Sequence, residues 1–222
     1  MSSLHRPVRS RALAGLLAAL ALVAGGCGTA AAPSPPTGVD ELAIPTQDPD
    51  ASDFVATVDN PWLPLAPGSR WTYETASSVG GRVTTVVEAT AGEERDGIAI
   101  TDVTTTVSRQ VAAPTTDHFA QDRDGNVWWF GRDGEWFDEP GLAMPAEPRR
   151  GDGFRMALTA DLDVRAEVSR TDDSVVTPLS TYEPVVVLRV VDDGVVGIRY
   201  YAEGVGLVRS NTAGLTAYDV AD

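Results

Sequence analysis

The chain has 222 residues, of which the first 26 read as a removable leader, leaving 196 residues: room for one domain and a tether. Its 17 basic residues are all arginine, which excludes a lysine Schiff base or lysine nucleophile, and its single cysteine excludes an intrachain disulfide or a zinc site of several cysteines. Arg6, Arg9 and Arg11 leave with the leader, which holds no acid, so the net charge moves from −15 to −18, a value that repels nucleic acid and bare anionic lipid.

Residues 1–11 carry His5 and the three arginines, and residues 12–24 (ALAGLLAALALVA) are apolar apart from one glycine. Thirteen apolar residues fall short of the roughly 20 that a spanning helix needs, so residues 1–26 are expected to be a secretory signal rather than an anchor. The following stretch, Ala24-Gly25-Gly26-Cys27, resembles the lipobox of bacterial lipoproteins. The resemblance implies cleavage between Gly26 and Cys27 and a diacylglyceryl group on the Cys27 thiol, a strong nucleophile on a small side chain. Two acyl chains at ~0.8 kcal/mol per buried CH₂ make such an anchor effectively permanent. The alternative is a secreted protein in which Cys27 is a stray residue. The lipoprotein reading expects a cell-membrane location on the extracytoplasmic face.

From Gly28 to about Phe54 the chain has prolines at 33, 35, 36, 45 and 49 and no apolar periodicity. Residues 27–54 are therefore expected to be the lipidated cysteine and a disordered, extended tether. From Val55 to Asp222 the pattern becomes short runs of Val, Thr and aromatics, which predict a single domain. Strands are expected at Arg70–Thr75, Arg82–Thr90, Ile98–Arg109, Thr116–Gln121, Val127–Gly131, Glu135–Asp138, Phe154–Leu158, Val164–Arg170, Val185–Val191, Val195–Tyr201, Gly206–Ser210 and Leu215–Val220. Gly80-Gly81, Asp124-Gly125, Asp133-Gly134 and Asp193-Gly194 punctuate them as hairpin turns. No window holds an apolar helical repeat. The expected class is all-β, a mainly antiparallel meander of about 10 to 12 strands, as a barrel or sandwich.

A two-residue turn at Asp133-Gly134 pairs Arg132 with Glu135, Gly131 with Trp136 and Phe130 with Phe137. This places Trp128, Phe130 and Phe137 on one face and Trp129 and Trp136 on the other. Trp129 and Trp136 are the candidate ligand-binding residues, expected to be the less buried pair because Gly131 leaves room over bare backbone. The tryptophans could form a stacking platform, although core packing is their commoner use.

Other chemistry is thinly supported. His118 adjoins Asp117 on a strand, where neighbours point to opposite faces, so the two form no preformed dyad. Asp122, Asp124 and Asn126 in DRDGN resemble the opening of a calcium loop, yet Gly125 falls before the place of the required glycine and Asp133 stands where a glutamate belongs. A turn with Gly125 left-handed is the better reading, and no metal or other cofactor is expected. Acid pairs at Glu93-Glu94, Asp172-Asp173 and Asp192-Asp193 invite a glycosidase reading but fall in or beside expected turns. Arg149-Arg150, followed by Gly151-Asp152-Gly153, is the local basic cluster that could clamp an anion, against the plainer reading of a surface loop.

Asp59-Asn60-Pro61-Trp62-Leu63-Pro64-Leu65 with Pro67-Gly68 and Trp71-Thr72-Tyr73 resembles the opening of a family of uncharacterised bacterial secreted and lipid-anchored proteins. Phe119-Ala120-Gln121-Asp122 through Gly125-Asn126-Val127-Trp128, and Tyr201 with Gly204-Val205-Gly206-Leu207-Val208, look like its middle and end motifs. That resemblance implies a shared fold and carries no functional residue. The leading expectation is a lipid-anchored envelope protein with a non-catalytic β domain that binds a small apolar ligand, a glycan or a protein partner, without nucleic acid. The alternatives are a carboxylate-dependent hydrolase of the envelope and a purely structural lipoprotein.

Overall fold

The computed structural model describes residues 50–78, 80–108 and 113–221. The leader, Gly26 and Cys27, the tether through residue 49 and Arg109 lie outside the described residues. All twelve expected runs are strands: β2 (Arg70–Ala76), β3 (Arg82–Ala91), β4 (Thr101–Val107), β5 (Thr115–Asp122), β6 (Val127–Arg132), β7 (Glu135–Met144), β8 (Gly153–Leu158), β9 (Asp163–Val176), β10 (Thr181–Asp192), β11 (Val195–Ala202), β12 (Gly206–Ser210) and β13 (Ala213–Asp219). A short β1 (Phe54–Val55), preceded by a 3₁₀ turn at Ala51–Asp53, pairs with Asp122 and Gln121 of β5. Packed chain therefore begins about four residues before the expected tether boundary. The backbone N–H of Arg123 donates to Asp53 O at 2.8 Å, and the Phe54 ring meets Phe130 edge-on at 5.4 Å.

The fold is all-β, a nearly closed antiparallel barrel-like sheet of twelve strands, with β1 added on β5. Each strand from β2 to β7 and from β8 to β13 pairs with its neighbour in sequence, and β13 pairs with β2 to bring the two ends together. Hairpin chemistry explains why the chain reverses where it does. Asp133 and Gly134 have φ of 53° and 83°, Asp193 and Gly194 of 45° and 77°, which is the type I′ pattern that matches strand twist. The ring is incomplete between β7 and β8, where the backbones nevertheless touch. A Cβ on Gly141 would stand 2.0 Å from Met156 O, so only glycine lets these strands come together. Among the described residues no helix is long and apolar enough to cross a membrane.

Period-two alternation sorts the faces. Along β2–β6, Trp71, Tyr73, Ala89, Val103 and Trp129 share the core side through the cross-strand register, with Leu215 opposite Tyr73. Val164, Ala166 and Val168 of β9 face Leu188 and Val190 of β10 in the same core, while Arg165, Glu167 and Arg189 alternate outward.

Two expectations need correction. Phe130 does not pair with Phe137: a bulge between Trp129 and Gly131 shifts the register, so Trp129 lies opposite Gly141 and Phe137 packs edge-on against Trp129 at 5.1 Å. Asp172-Asp173 does not sit in a turn but inside β9, which bends through bulges and runs to Val176.

Candidate functional site

The polar motifs converge on one buried cluster where the segment before β2 crosses the β5–β6 turn. Asn60, 1% exposed, uses its whole amide. Its Nδ2 donates to Gly125 O (2.8 Å) and Pro145 O (3.1 Å), and its Oδ1 accepts from the Trp62 and Leu63 N–H groups at 2.9 and 3.0 Å. Gln121 Oε1 accepts from the N–H groups of Asp59 (2.9 Å) and Asn60 (2.7 Å), and its Nε2 donates to Asp59 Oδ1 at 2.6 Å.

Asp122 holds the turn itself. Its Oδ1 accepts from Asn126 N (2.8 Å), and its Oδ2 accepts from Asn126 Nδ2 and Trp128 Nε1, both at 2.9 Å. Asn126 Oδ1 in turn accepts from Ala146 N at 2.9 Å. Gly125 has φ of 91°, as the turn reading requires. The weak metal candidate is thus divided: Asp122 and Asn126 oxygens face N–H donors and Asp124 is exposed. Among the described residues no three His, Cys, Asp or Glu side chains gather as a metal site. The late motif is fastened similarly. Trp71 Nε1 donates to Val205 O and Tyr73 OH to Leu207 O, each at 2.7 Å, and Gly204 N donates to Pro61 O at 2.7 Å. Burial, with Tyr201 and Tyr182 nearby, pushes ionisation of the Tyr73 hydroxyl well above the ordinary tyrosine range.

The aromatic hairpin is closed on both sides. Trp128 and Trp129 are 3% and 5% exposed, which corrects the expectation that Trp129 belongs to a less buried pair. The reason is that Trp129 lies on the core side of the sheet, beside Phe119 (6.5 Å), under the Arg132 guanidinium (4.7 Å) and against Phe137. Its Nε1 donates to Gly131 O at 2.8 Å. Trp136 is half-buried, but both its faces are occupied. His118 stacks on it at 4.6 Å with 18° between the rings, and Arg95 lies over it at 4.5 Å. Register produces this stack, because His118, Gly131 and Trp136 stand opposite one another across three strands, with no side chain on the middle one.

His118 has an acid partner that its sequence neighbours do not reveal. Asp102, directly opposite on β4, places Oδ1 2.7 Å from Nδ1, while Nε2 accepts from Gly134 N–H at 3.2 Å. With Nε2 as the acceptor of that bond, Nδ1 is the nitrogen that faces the carboxylate. Asp117 instead pairs with Arg132 at 2.7 Å. The ring is enclosed, and its second nitrogen meets backbone rather than a hydroxyl nucleophile.

Of the acid pairs, Glu93-Glu94 and Asp192-Asp193 are exposed, and Asp173 is hydrogen-bonded by Arg170, which holds its carboxyl below the ordinary range. On the outward side of β8–β10 lies an open groove of about 510 Å³, lined by Gly151, Gly153, Arg155, Arg165, Glu167 and Arg189 among others. Arg165 donates to Asp163 at 2.6 and 3.0 Å, a hydrogen bond that keeps the Asp163 carboxyl below the ordinary range, and Arg155 lies 3.6 Å from the same carboxylate. Arg189 makes no ion pair among the described residues, although it stands opposite Glu167.

No family model, no curated protein and no solved structure matches the chain.

Proposed function

We propose that the mature chain is a lipid-anchored cell-envelope protein, held at the extracytoplasmic face of the membrane through Cys27, whose β domain binds a partner rather than catalyses a reaction. The anchor rests on Ala24-Gly25-Gly26-Cys27, which follows a basic and then an apolar leader in a chain with no other cysteine. One observation carries the reading of the domain. The side chains most suited to chemistry, His118, Asp102, Gln121, Asp122 and Asn126, are engaged with one another or with backbone, and no buried side-chain polar atom among the described residues lacks a partner. A reactive site needs groups directed at a substrate. An apolar ligand or glycan stacked on the hairpin would have to displace Arg95 or His118 from Trp136, which favours a binding surface elsewhere on the barrel.

Fractionation of the native host tests the anchor. Wild-type protein is expected in the membrane fraction and Cys27→Ser in the soluble or secreted fraction. A processed Cys27→Ser protein that stays with the membrane would overturn the assignment.

A further inference from the structure

We infer that the outward groove across β8, β9 and β10 is a binding site for a soluble phosphate ester or oligophosphate, recognised by Arg189, Arg165 and Arg155. The site deepens the reading of the domain as a binder and rests on it, while standing apart from the anchor.

The first observation is where positive charge is left over. Arg70, Arg82, Arg95, Arg123 and Arg132, all in the half of the sheet from β2 to β7 and its loops, each lie within 4 Å of a carboxylate. Among the described residues, the arginines without a carboxylate partner are Arg150, Arg189, Arg199 and Arg209, all between residue 150 and β12. Of these, Arg189 lines the groove beside Arg155 and Arg165, which share the single carboxylate of Asp163.

A second observation is geometric. Arg155 and Arg165 stand directly opposite each other, a like-charge pair that destabilises a sheet unless an anion bridges it. Asp163, the first residue of β9, contacts both, through two hydrogen bonds from Arg165 and at 3.6 Å from Arg155. Arg189 lies one strand over and two residue pairs further along, and the three arginines line one groove with Val191 on the same face of the sheet. Guanidinium forks bind phosphate oxygens through paired N–H donors, more strongly than neutral hydrogen bonds do. Glu167, directly opposite Arg189, sets a limit on ligand charge.

Third, the rim is bare. Arg149-Arg150-Gly151-Asp152-Gly153 is folded onto β9 by Gly151 N to Val168 O and Val168 N to Asp152 O, both 2.8 Å. Asp152 turns inward to accept from Arg149 N, so its charge is withdrawn from the groove. A Cβ built on Gly153 meets nothing within 4 Å, which means that the groove is open there and can be filled without disturbing the fold.

The test titrates tripolyphosphate into the full mature chain carrying Cys27→Ser, by calorimetry at low ionic strength. Saturable binding is expected, weakened roughly tenfold or more in Arg189→Ala and again in Gly153→Glu, which fills the open rim with a carboxylate. Arg70→Ala, an exposed arginine remote in the sheet order, should bind as the parent does, and all variants should melt alike. Absence of binding, equal affinity in all variants, or an equal loss in Arg70→Ala would overturn the site. So would sedimentation with phosphatidylglycerol vesicles in the absence of tripolyphosphate binding, which would assign the arginines to a bilayer surface. None of these outcomes bears on the fractionation of Cys27→Ser, so failure of the site and failure of the anchor are separable.

Discussion

Asn60 is the residue on which most depends for its size. Its side-chain amide closes four contacts, two with carbonyls 65 and 85 positions away and two within its own turn. Replacement by alanine leaves the carbonyls of Gly125 and Pro145 and the N–H of Trp62 short of a partner, while the Leu63 N–H keeps Asn60 O at 3.1 Å, and each unsatisfied buried group costs about 1 to 3 kcal/mol. Asn60→Ala is expected to lose about 3 kcal/mol in urea unfolding; a loss below about 1 kcal/mol would show that the cluster is not what holds this loop. Tyr73 offers a check through pH. Its hydroxyl is kept neutral by burial, so its contribution is complete below the ordinary tyrosine value near pH 10 and is lost as pH rises beyond it. Tyr73→Phe should therefore cost about 1 kcal/mol at neutral pH, for the bond to Leu207 O, yet flatten the alkaline fall in stability. An unchanged alkaline limb in that variant would contradict the assignment.

Elements were legible from sequence wherever turn residues fixed them. Asp133-Gly134 set the pairing of Arg132 with Glu135 and of Gly131 with Trp136, because a two-residue turn leaves no freedom of register next to it. Three residues further on, the bulge at Phe130 reversed the side of Phe137, and nothing in the local sequence announces an inserted residue. The partner of His118 was hidden for a related reason. Asp102 is opposite only through the β4–β5 register, and the stretch of chain from Val107 to Thr115 is too long to be a two-residue turn that would fix it from sequence. The clustering of Asn60 with Gln121 and Asp122 was visible only as two separate motifs, since contact across more than 60 positions depends on closure of the whole sheet. Closure itself hangs on Gly141. Gly141→Ala forces a Cβ into the Met156 carbonyl, and overpacking of this kind costs about 1 to 3 kcal/mol. Amide exchange should rise across residues 141–144 and 153–158 in that variant, ahead of the rest of the barrel; uniform protection with an unchanged melt would show that the seam tolerates separation.

At the scale of the molecule, a chain of twelve strands joined in sequence order becomes nearly continuous because β13 returns to β2, and the segment before β2 fastens both the β5–β6 turn and the loop before β12. The motifs that looked like sites are the fastenings of the barrel, and the unpaired positive charge collects on its other half. The consequence tested most directly is that the aromatic hairpin is core on both faces. Trp128→Ala and Trp129→Ala, compared by urea unfolding, should each lose about 3 to 5 kcal/mol, as truncation of a buried aromatic does. A loss below about 1 kcal/mol at Trp129, with the full loss at Trp128, would mean that one face is an open groove and would return the hairpin to consideration as a ligand site.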